Sequence, residues 1–128
     1  MNENNPEDTK QLTPITDLQT YDYRVWYNQD THTITCSGTL RLPGNDYAPI
    51  VELLNRVADS KPEMLILNLQ NLQFLNSFGI NVICQFVIRI QKLGISQLTI
   101  DGTKQYSWQR KSLRILPRLM PALNIQWT

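Results

Sequence analysis

Apolar residues recur along the chain in two patterns, alternation that predicts strands and a spacing of three to four residues that predicts helices. Apolar and polar residues alternate over residues 21–27 and β-branched residues dominate 32–38, so a β-hairpin is predicted there. A helical spacing then runs from Asp46, a residue type that caps helices, to Asp59. Residues 64–69 are almost continuously apolar, which is typical of a strand buried on both faces of a sheet with parallel neighbours.

The second half of the chain continues this alternation of strands and helices. A long helix is predicted from Phe78 to Leu93, with Gly94 suited to the left-handed conformation after its end. The remaining elements are a strand over 95–100, a basic helix over 107–120 that Pro117 kinks or shortens, and an edge strand over 123–127.

The predicted order β-β-α-β-α-β-α-β indicates an α/β fold, with a mixed β-sheet packed against helices. The polar residues 1–16 are predicted to be a mobile N-terminal tail, and residues 17–128 a single domain. With 128 residues and a net charge of +1, the chain lacks the overall charge of a nucleic-acid binder. No membrane span is expected, because Asn81, Gln85 and Arg89 interrupt the longest apolar helix.

Residues with catalytic or metal-binding chemistry are sparse. His32 has no cysteine or carboxylate at ligand spacing, and the glycines are too dispersed to form a phosphate-binding loop. We therefore expect no enzyme activity, no metal site and no cofactor. Cys36 and Cys84 lie in apolar elements and are predicted to be buried structural thiols, and the cytoplasm is the expected compartment.

The predicted long helix has two unlike sides. The side expected to face the sheet carries Gly79, Ile80, Ile83, Cys84, Val87 and Ile90, and the opposite stripe carries Asn81, Gln85, Arg89 and Lys92. Phe78 falls within the polar stripe, and Val82 lies at its edge. An outward-facing Phe78 suggests a protein contact surface, whereas the alternative is that its ring folds back on Phe74 or Leu75.

Ser77 stands at the start of this helix, where two interpretations are open. A serine hydroxyl can cap the helix by accepting a backbone N–H bond, and Asn76 could do the same. A phosphate on Ser77 would also be stabilised there by free N–H groups and the positive end of the helix dipole. Such a phosphate adds about two negative charges, which is enough to switch a partner interaction.

The segment from Phe74 to Ile80 resembles a family motif. Phe74-Leu75-Asn76-Ser77-Phe78-Gly79-Ile80 is similar to the strand, Asp-Ser-Ser/Thr-Gly-Leu/Ile and helix pattern of the anti-sigma factor antagonists, the STAS domain family. Gly38-Thr39-Leu40-Arg41 falls where that family has Gly-Glu-Leu/Ile-Asp, and the resemblance covers residues 20 to 127. This chain differs from the family in having Asn76, Arg41 and Thr39 in place of acidic residues, and Phe78 in place of a small one.

The resemblance implies a STAS-like, non-enzymatic switch that works through protein partners. Ser77 stands at the family's phosphoacceptor position, modified by an anti-sigma factor of the serine-protein kinase type and restored by a PP2C-type phosphatase. The implied partner-binding residues are Arg41, Asn76, Phe78, Gly79, Asn81, Val82, Gln85 and Arg89.

Three alternatives stay open at this point. The chain could be a STAS scaffold without a phospho-switch, or it could hold a small molecule near Ser77. The basic helix, with Arg110, Lys111, Arg114 and Arg118, could instead dock nucleic acid or an acidic protein, although the low net charge favours an ordinary solvated helix. The sequence leaves a homo-oligomer open.

Overall fold

The computed structural model describes residues 15–128, which form one β-sheet and a set of helices. The strands are β1 (Asp17–Gln19), β2 (Tyr23–Asn28), β3 (Thr33–Leu40), β4 (Met64–Leu75), β5 (Gln97–Gly102) and β6 (Asn124–Trp127). The helices are α1 (Ala48–Asp59), α2 (Ser77–Lys92), α3 (Ser107–Leu113) and α4 (Leu116–Leu119), and a 3₁₀ turn at Gly44–Tyr47 precedes α1. The predicted mobile tail lies outside the described residues except for Ile15 and Thr16.

The six strands lie in the sheet in the order of the chain. Neighbours from β1 to β3 are antiparallel, and neighbours from β3 to β6 are parallel. The predicted α/β class, the entry hairpin and the mixed sheet are confirmed. The observed order differs in having the additional strand β1 and two helices where one was predicted.

Strand β1 is too short to show a period in the sequence. It has three residues, and it pairs with β2 so that Asp17 lies opposite Trp26. The Asp17 carboxylate forms an ion pair with Arg24 at 2.8 Å, and the Arg24 guanidinium stacks on the Trp26 ring at 4.6 Å. Contacts between side chains of neighbouring strands therefore hold β1 in place.

The helices all cover the same face of the sheet. From β3 to β6, each parallel strand lies next to the one before it, always on the same side. Connections between parallel strands are right-handed, so the helices that join these strands all lie on one face of the sheet. In β4, Leu65, Leu67 and Leu69 are buried, while Ile66 and Asn68 are half-exposed. The prediction that this strand is buried on both faces is therefore wrong, because its second face is open.

Helix ends follow local chemistry at two sites and depart from it at one. Gly94 has φ of 76° just after α2, and the predicted last helix is divided, with α3 ending at Leu113 and Pro117 standing in the first turn of α4, as predicted. The prediction that Asp46 caps the first helix is wrong, because Asp46 lies in the 3₁₀ turn and α1 begins two residues later.

The second half of β4 lies beside helix α3 instead of strand β5. β4 pairs with β5 only as far as Asn68. Beyond that point Gln109 Nε2 donates to the Leu69 and Leu72 carbonyls at 2.8 and 3.1 Å, and Trp108 Nε1 donates to the Gln73 carbonyl at 2.7 Å. These bonds fix α3 beside the carboxyl end of β4, and the two from Gln109 supply donors that the buried Leu69 and Leu72 carbonyls need.

Candidate partner-binding site

The candidate site lies where β3 and β4 end side by side. The two strands are parallel, and their last residues, Leu40 and Leu75, are register partners. The Asn76 backbone N–H donates to the Leu40 carbonyl at 3.0 Å. The sheet therefore brings Arg41, which follows β3, to the same edge as Ser77, which begins α2.

Asn76, rather than Ser77, caps helix α2. Its Oδ1 accepts from the Gly79 backbone N–H at 3.0 Å and from the Tyr47 hydroxyl at 2.7 Å. Its Nδ2 donates to the Leu42 carbonyl at 2.9 Å. The Asn76 side chain thus joins the helix, the 3₁₀ turn and the loop after β3, and an aspartate could not make the bond to Leu42 because an ionised carboxylate only accepts.

The capping by Asn76 leaves Ser77 unengaged. Ser77 is the first residue of α2 and is exposed, and within residues 15–128 its hydroxyl has no hydrogen-bond partner. The N–H groups of Gly79 and Ile80 are occupied by the Asn76 side chain and carbonyl. The N–H groups of Ser77 and Phe78 belong to the first helical turn and are left for solvent or a ligand.

Phe78 is an exposed aromatic side chain at this edge, with 55% of its surface accessible. Its ring lies beside Gly44, close enough that a Cβ built on that glycine would be 3.2 Å from the ring. The outward orientation agrees with the helical wheel, and the ring lies against the turn before α1. A side chain at position 44 would crowd the ring, so Gly44 leaves room for it.

Gly79 provides close packing beneath the exposed residues. A Cβ at this position would clash with the Leu75 side chain and lie 2.7 Å from the Tyr47 hydroxyl. Gly79 is buried in the first turn of α2, where the helix approaches both side chains. The absence of a side chain thus lets the start of α2 approach Leu75 and Tyr47, while the Gly79 N–H donates to Asn76.

Arg41 contributes a positive charge held by an aromatic ring. Its guanidinium carbon lies 5.0 Å from the centre of the Phe74 ring, within the range of a cation–π contact. Phe74 is 40% exposed and was not among the predicted site residues. Phe74 is the register partner of Thr39, at a point where the pairing of β3 with β4 is irregular, and no sequence pattern indicates this irregularity.

The outer face of α2 continues the surface for two turns. Asn81 and Gln85 are exposed, and Val82 is half-buried. These three residues line a cavity of about 160 Å³ between α1 and α2, together with Val51, Leu54, Asn55 and Phe86. We call Arg41, Phe74, Ser77, Phe78, Asn81, Val82 and Gln85 the Ser77 surface.

Arg89 lies three turns from Ser77 and is engaged within the protein. Its guanidinium makes two bonds to the Asp59 carboxylate, at 2.9 and 2.8 Å, and joins the end of α1 to α2. This ion pair lowers the pKa of Asp59, chiefly through the hydrogen bond from Arg89. The structure therefore does not bring Arg89 into the Ser77 surface.

Other reactive side chains lie apart from this surface. Cys36 is buried and burial raises its pKa to about 12, while Cys84 is only half-buried, more exposed than predicted, with a raised pKa for the same reason. His32 is in the turn before β3, with φ of 52°, rather than in the strand. Within residues 15–128 there is no cluster of side chains that could hold a metal ion, and no helix is both long and apolar enough to cross a membrane.

Solved structures from Pseudomonas aeruginosa are similar to this protein. A chain in the crystal structure of the diguanylate cyclase SiaD in complex with its activator SiaC aligns with a TM-score of 0.66 at 11% identity, over 89% of this chain and 100% of that chain. A structure of SiaC aligns at 0.58 and 12%, over 89% and 100%, and apo-SiaC at 0.57 and 13%, over 88% and 99%. No protein-family model matches the chain, and no curated protein matches its sequence.

These alignments define the class of structure. The protein has a mixed α/β fold, with a parallel sheet extended by antiparallel strands and covered by helices on one face. The particular fold is that of SiaC, shared over nearly the whole length of both chains.

Proposed function

We propose that this protein is a non-enzymatic regulator that binds a partner protein through the Ser77 surface. The observation that carries the proposal is Phe78, an aromatic side chain 55% exposed at the start of a capped, rigid helix. Exposed aromatic residues on a rigid support are typical anchors of protein interfaces. The half-exposed Phe74 and the Arg41 guanidinium stacked on it extend the same edge.

The fold comparison supports protein binding as the activity. The structure with the highest TM-score of those described contains SiaC as an activator in complex with a diguanylate cyclase. We propose that this chain likewise acts on a signalling partner in the cytoplasm, either an enzyme of that kind or, by resemblance, an anti-sigma factor of the serine-kinase type. Because Arg41 replaces an acidic residue, the matching surface of the partner should carry a carboxylate.

Phosphorylation of Ser77 is the regulatory step that we propose, with a PP2C-type phosphatase reversing it. The serine is exposed and its hydroxyl is unengaged among the described residues. The nearby N–H groups of Ser77 and Phe78 can bond phosphate oxygens, and the helix dipole favours the added charge. A phosphate beside Phe78 would require a partner to bury about two charges along with an apolar ring, so phosphorylation should release the partner.

A photo-crosslinking experiment tests the surface directly. A benzophenone amino acid at position 78 should capture one dominant protein in the native cells, and the same group at Met64, which is 40% exposed at the start of β4, should not. With that partner purified, Phe78→Ala should weaken binding about 30-fold, the cost expected for a central anchor. Met64→Ala is the matched control, and equal affinities for the two variants would contradict the proposal.

The phosphorylation step has a separate test. Mass spectrometry of protein from its native cells should find phosphate on Ser77, and Ser77→Asp should weaken partner binding at least about tenfold. Ser107→Asp is the control, since Ser107 is also exposed and also the first residue of a helix. If Ser77→Asp binds the partner as tightly as wild type, the phosphorylation switch is wrong, while partner binding through this surface still stands.

A further inference from the structure

Positive charge is concentrated in the last part of the chain. Residues 102–128 contain five basic residues, Lys104, Arg110, Lys111, Arg114 and Arg118, and no acidic one. None of the five forms an ion pair with a carboxylate within residues 15–128, where the pairs are Arg24–Asp17, Arg56–Glu52 and Arg89–Asp59. The segment therefore attracts an external negative charge.

Three of these cations border a groove at the edge of the sheet. Arg110, Lys111 and Arg114 form one side, and Pro117, Leu123, Ile125 and Trp127 complete the lining. The groove has a volume of about 530 Å³. The Arg110 guanidinium lies 5.9 Å from the centre of the Trp127 ring, so the groove combines an apolar floor with a basic wall.

The floor of the groove is an edge strand with one free side. Among residues 15–128, β6 is the last strand of the sheet and pairs only with β5. Both backbone groups of Thr128 point toward β5, where its N–H donates to Gly102 and its carbonyl accepts from Lys104. Because these directions alternate along a strand, the N–H and carbonyl groups of Ile125 and Trp127 point to the free edge.

Acidic residues of the sheet do not neutralise this groove. Asp101 is the nearest acidic residue along the chain, and its register partner is Gln126. In β5 the buried side chains Leu98 and Ile100 alternate with Asp101, so Asp101 lies on the open face. The groove lies on the helix-covered face, and its charge is therefore uncompensated there.

We propose that an extended acidic segment of a partner protein binds in this groove as a seventh strand beside β6. Its backbone would pair with Ile125 and Trp127, and its carboxylates would meet Arg110 and Arg114. Strand addition at a free edge is a recurring mode of peptide binding, in which backbone bonds give affinity and neighbouring side chains give specificity. This surface is separate from the Ser77 surface, so the proposal stands independently of the proposed function.

The lining favours a peptide over nucleic acid. Leu123, Ile125 and Trp127 offer an apolar floor, and the free edge offers backbone donors and acceptors in the spacing of a strand. A nucleic acid would use the cations but leave the edge unpaired. Single-stranded DNA is therefore the competitor that the experiment must include.

The experiment measures fluorescence anisotropy with a labelled peptide of alternating glutamate and valine, about eight residues long to match a typical strand. We expect saturable binding that weakens about tenfold when salt rises from about 0.15 to about 0.5 M, because exposed charges are screened. The double variant Arg110→Gln/Arg114→Gln should bind at least about fivefold more weakly. Lys61→Gln/Lys92→Gln removes the same charge from exposed positions outside the groove and should bind normally.

Backbone N-methylation of the peptide separates strand addition from charge attraction. Each of two peptides is N-methylated at alternate residues, the first at the odd positions and the second at the even positions. Because backbone N–H groups alternate in direction along a strand, each peptide is blocked along one edge only. One should bind like the parent peptide and the other should lose binding. Equal binding of both peptides, no binding of the parent, or tighter binding of a single-stranded DNA oligonucleotide would overturn the proposal.

Discussion

Replacing Asn76 by aspartate tests whether its amide group holds the candidate site together. Asn76→Asp keeps the size of the side chain and the Oδ1 acceptor for the Gly79 N–H. It removes the Nδ2 donor that lies 2.9 Å from the Leu42 carbonyl and places a second carboxylate oxygen against that carbonyl. The loop after β3 therefore loses its direct bond to the start of α2.

The expected cost follows from these contacts. Loss of the bond and the facing oxygens should cost about 1–3 kcal/mol, because a half-buried carbonyl is left without its donor. A negative charge at the helix start returns about 0.3–1 kcal/mol. We therefore expect Asn76→Asp to lower the free energy of unfolding by about 1–2 kcal/mol, or the melting temperature by about 4–8 °C.

Urea denaturation followed by circular dichroism measures this difference. Asn81→Asp is the matched control, since it makes the same charge change on the exposed face of α2 and should stay within about 0.5 kcal/mol of wild type. Hydrogen exchange should also show faster exchange in the loop around Leu42 for Asn76→Asp. Equal stability of the two variants would refute the role given to Nδ2.

Three further predictions concern stability. Gly79→Ala should destabilise the protein by about 1–3 kcal/mol in urea denaturation, because its methyl group meets the Tyr47 hydroxyl and forces the helix start to shift. Gln109→Met should cost at least about 2 kcal/mol by the same measurement, since two β4 carbonyls and one backbone N–H lose their buried partner. The pKa of Asp59 is lowered from 3.8 by Arg89, so the wild-type melting temperature should lose the contribution of this pair as pH falls below 3.8. The melting temperature of Asp59→Asn should not show this decrease below pH 3.8. Parallel profiles of melting temperature against pH for the two proteins would contradict the role of the ion pair.

Much of the fold was predictable because local chemistry acts within a few residues. The β2–β3 hairpin, the extent of α2 and the break near Pro117 follow from apolar spacing and from the geometry of proline and glycine. Strand β1 was missed because three residues carry no period, and its place depends on the contact between Asp17 and Arg24.

The covered face of the sheet could not be read from β4 itself. Leu65, Ile66 and Leu67 look alike in sequence, yet Leu65 and Leu67 are buried and Ile66 is half-exposed. The difference arises because the strands follow one another in one direction and right-handed crossovers put the helices on a single side. The exposure of Ile66 is therefore explained by the order of the strands and not by its residue type.

The sequence by itself determined that a serine and an aromatic residue stand at the start of a long helix after a strand. The tertiary structure decided their roles. Asn76 became the cap because parallel pairing of β3 with β4 brings it to Tyr47 and Leu42, which are 29 and 34 residues away in the chain. Ser77 was thereby left exposed, and the Phe78 ring was placed beside Gly44, since contacts between distant segments form only when the sheet sets their register.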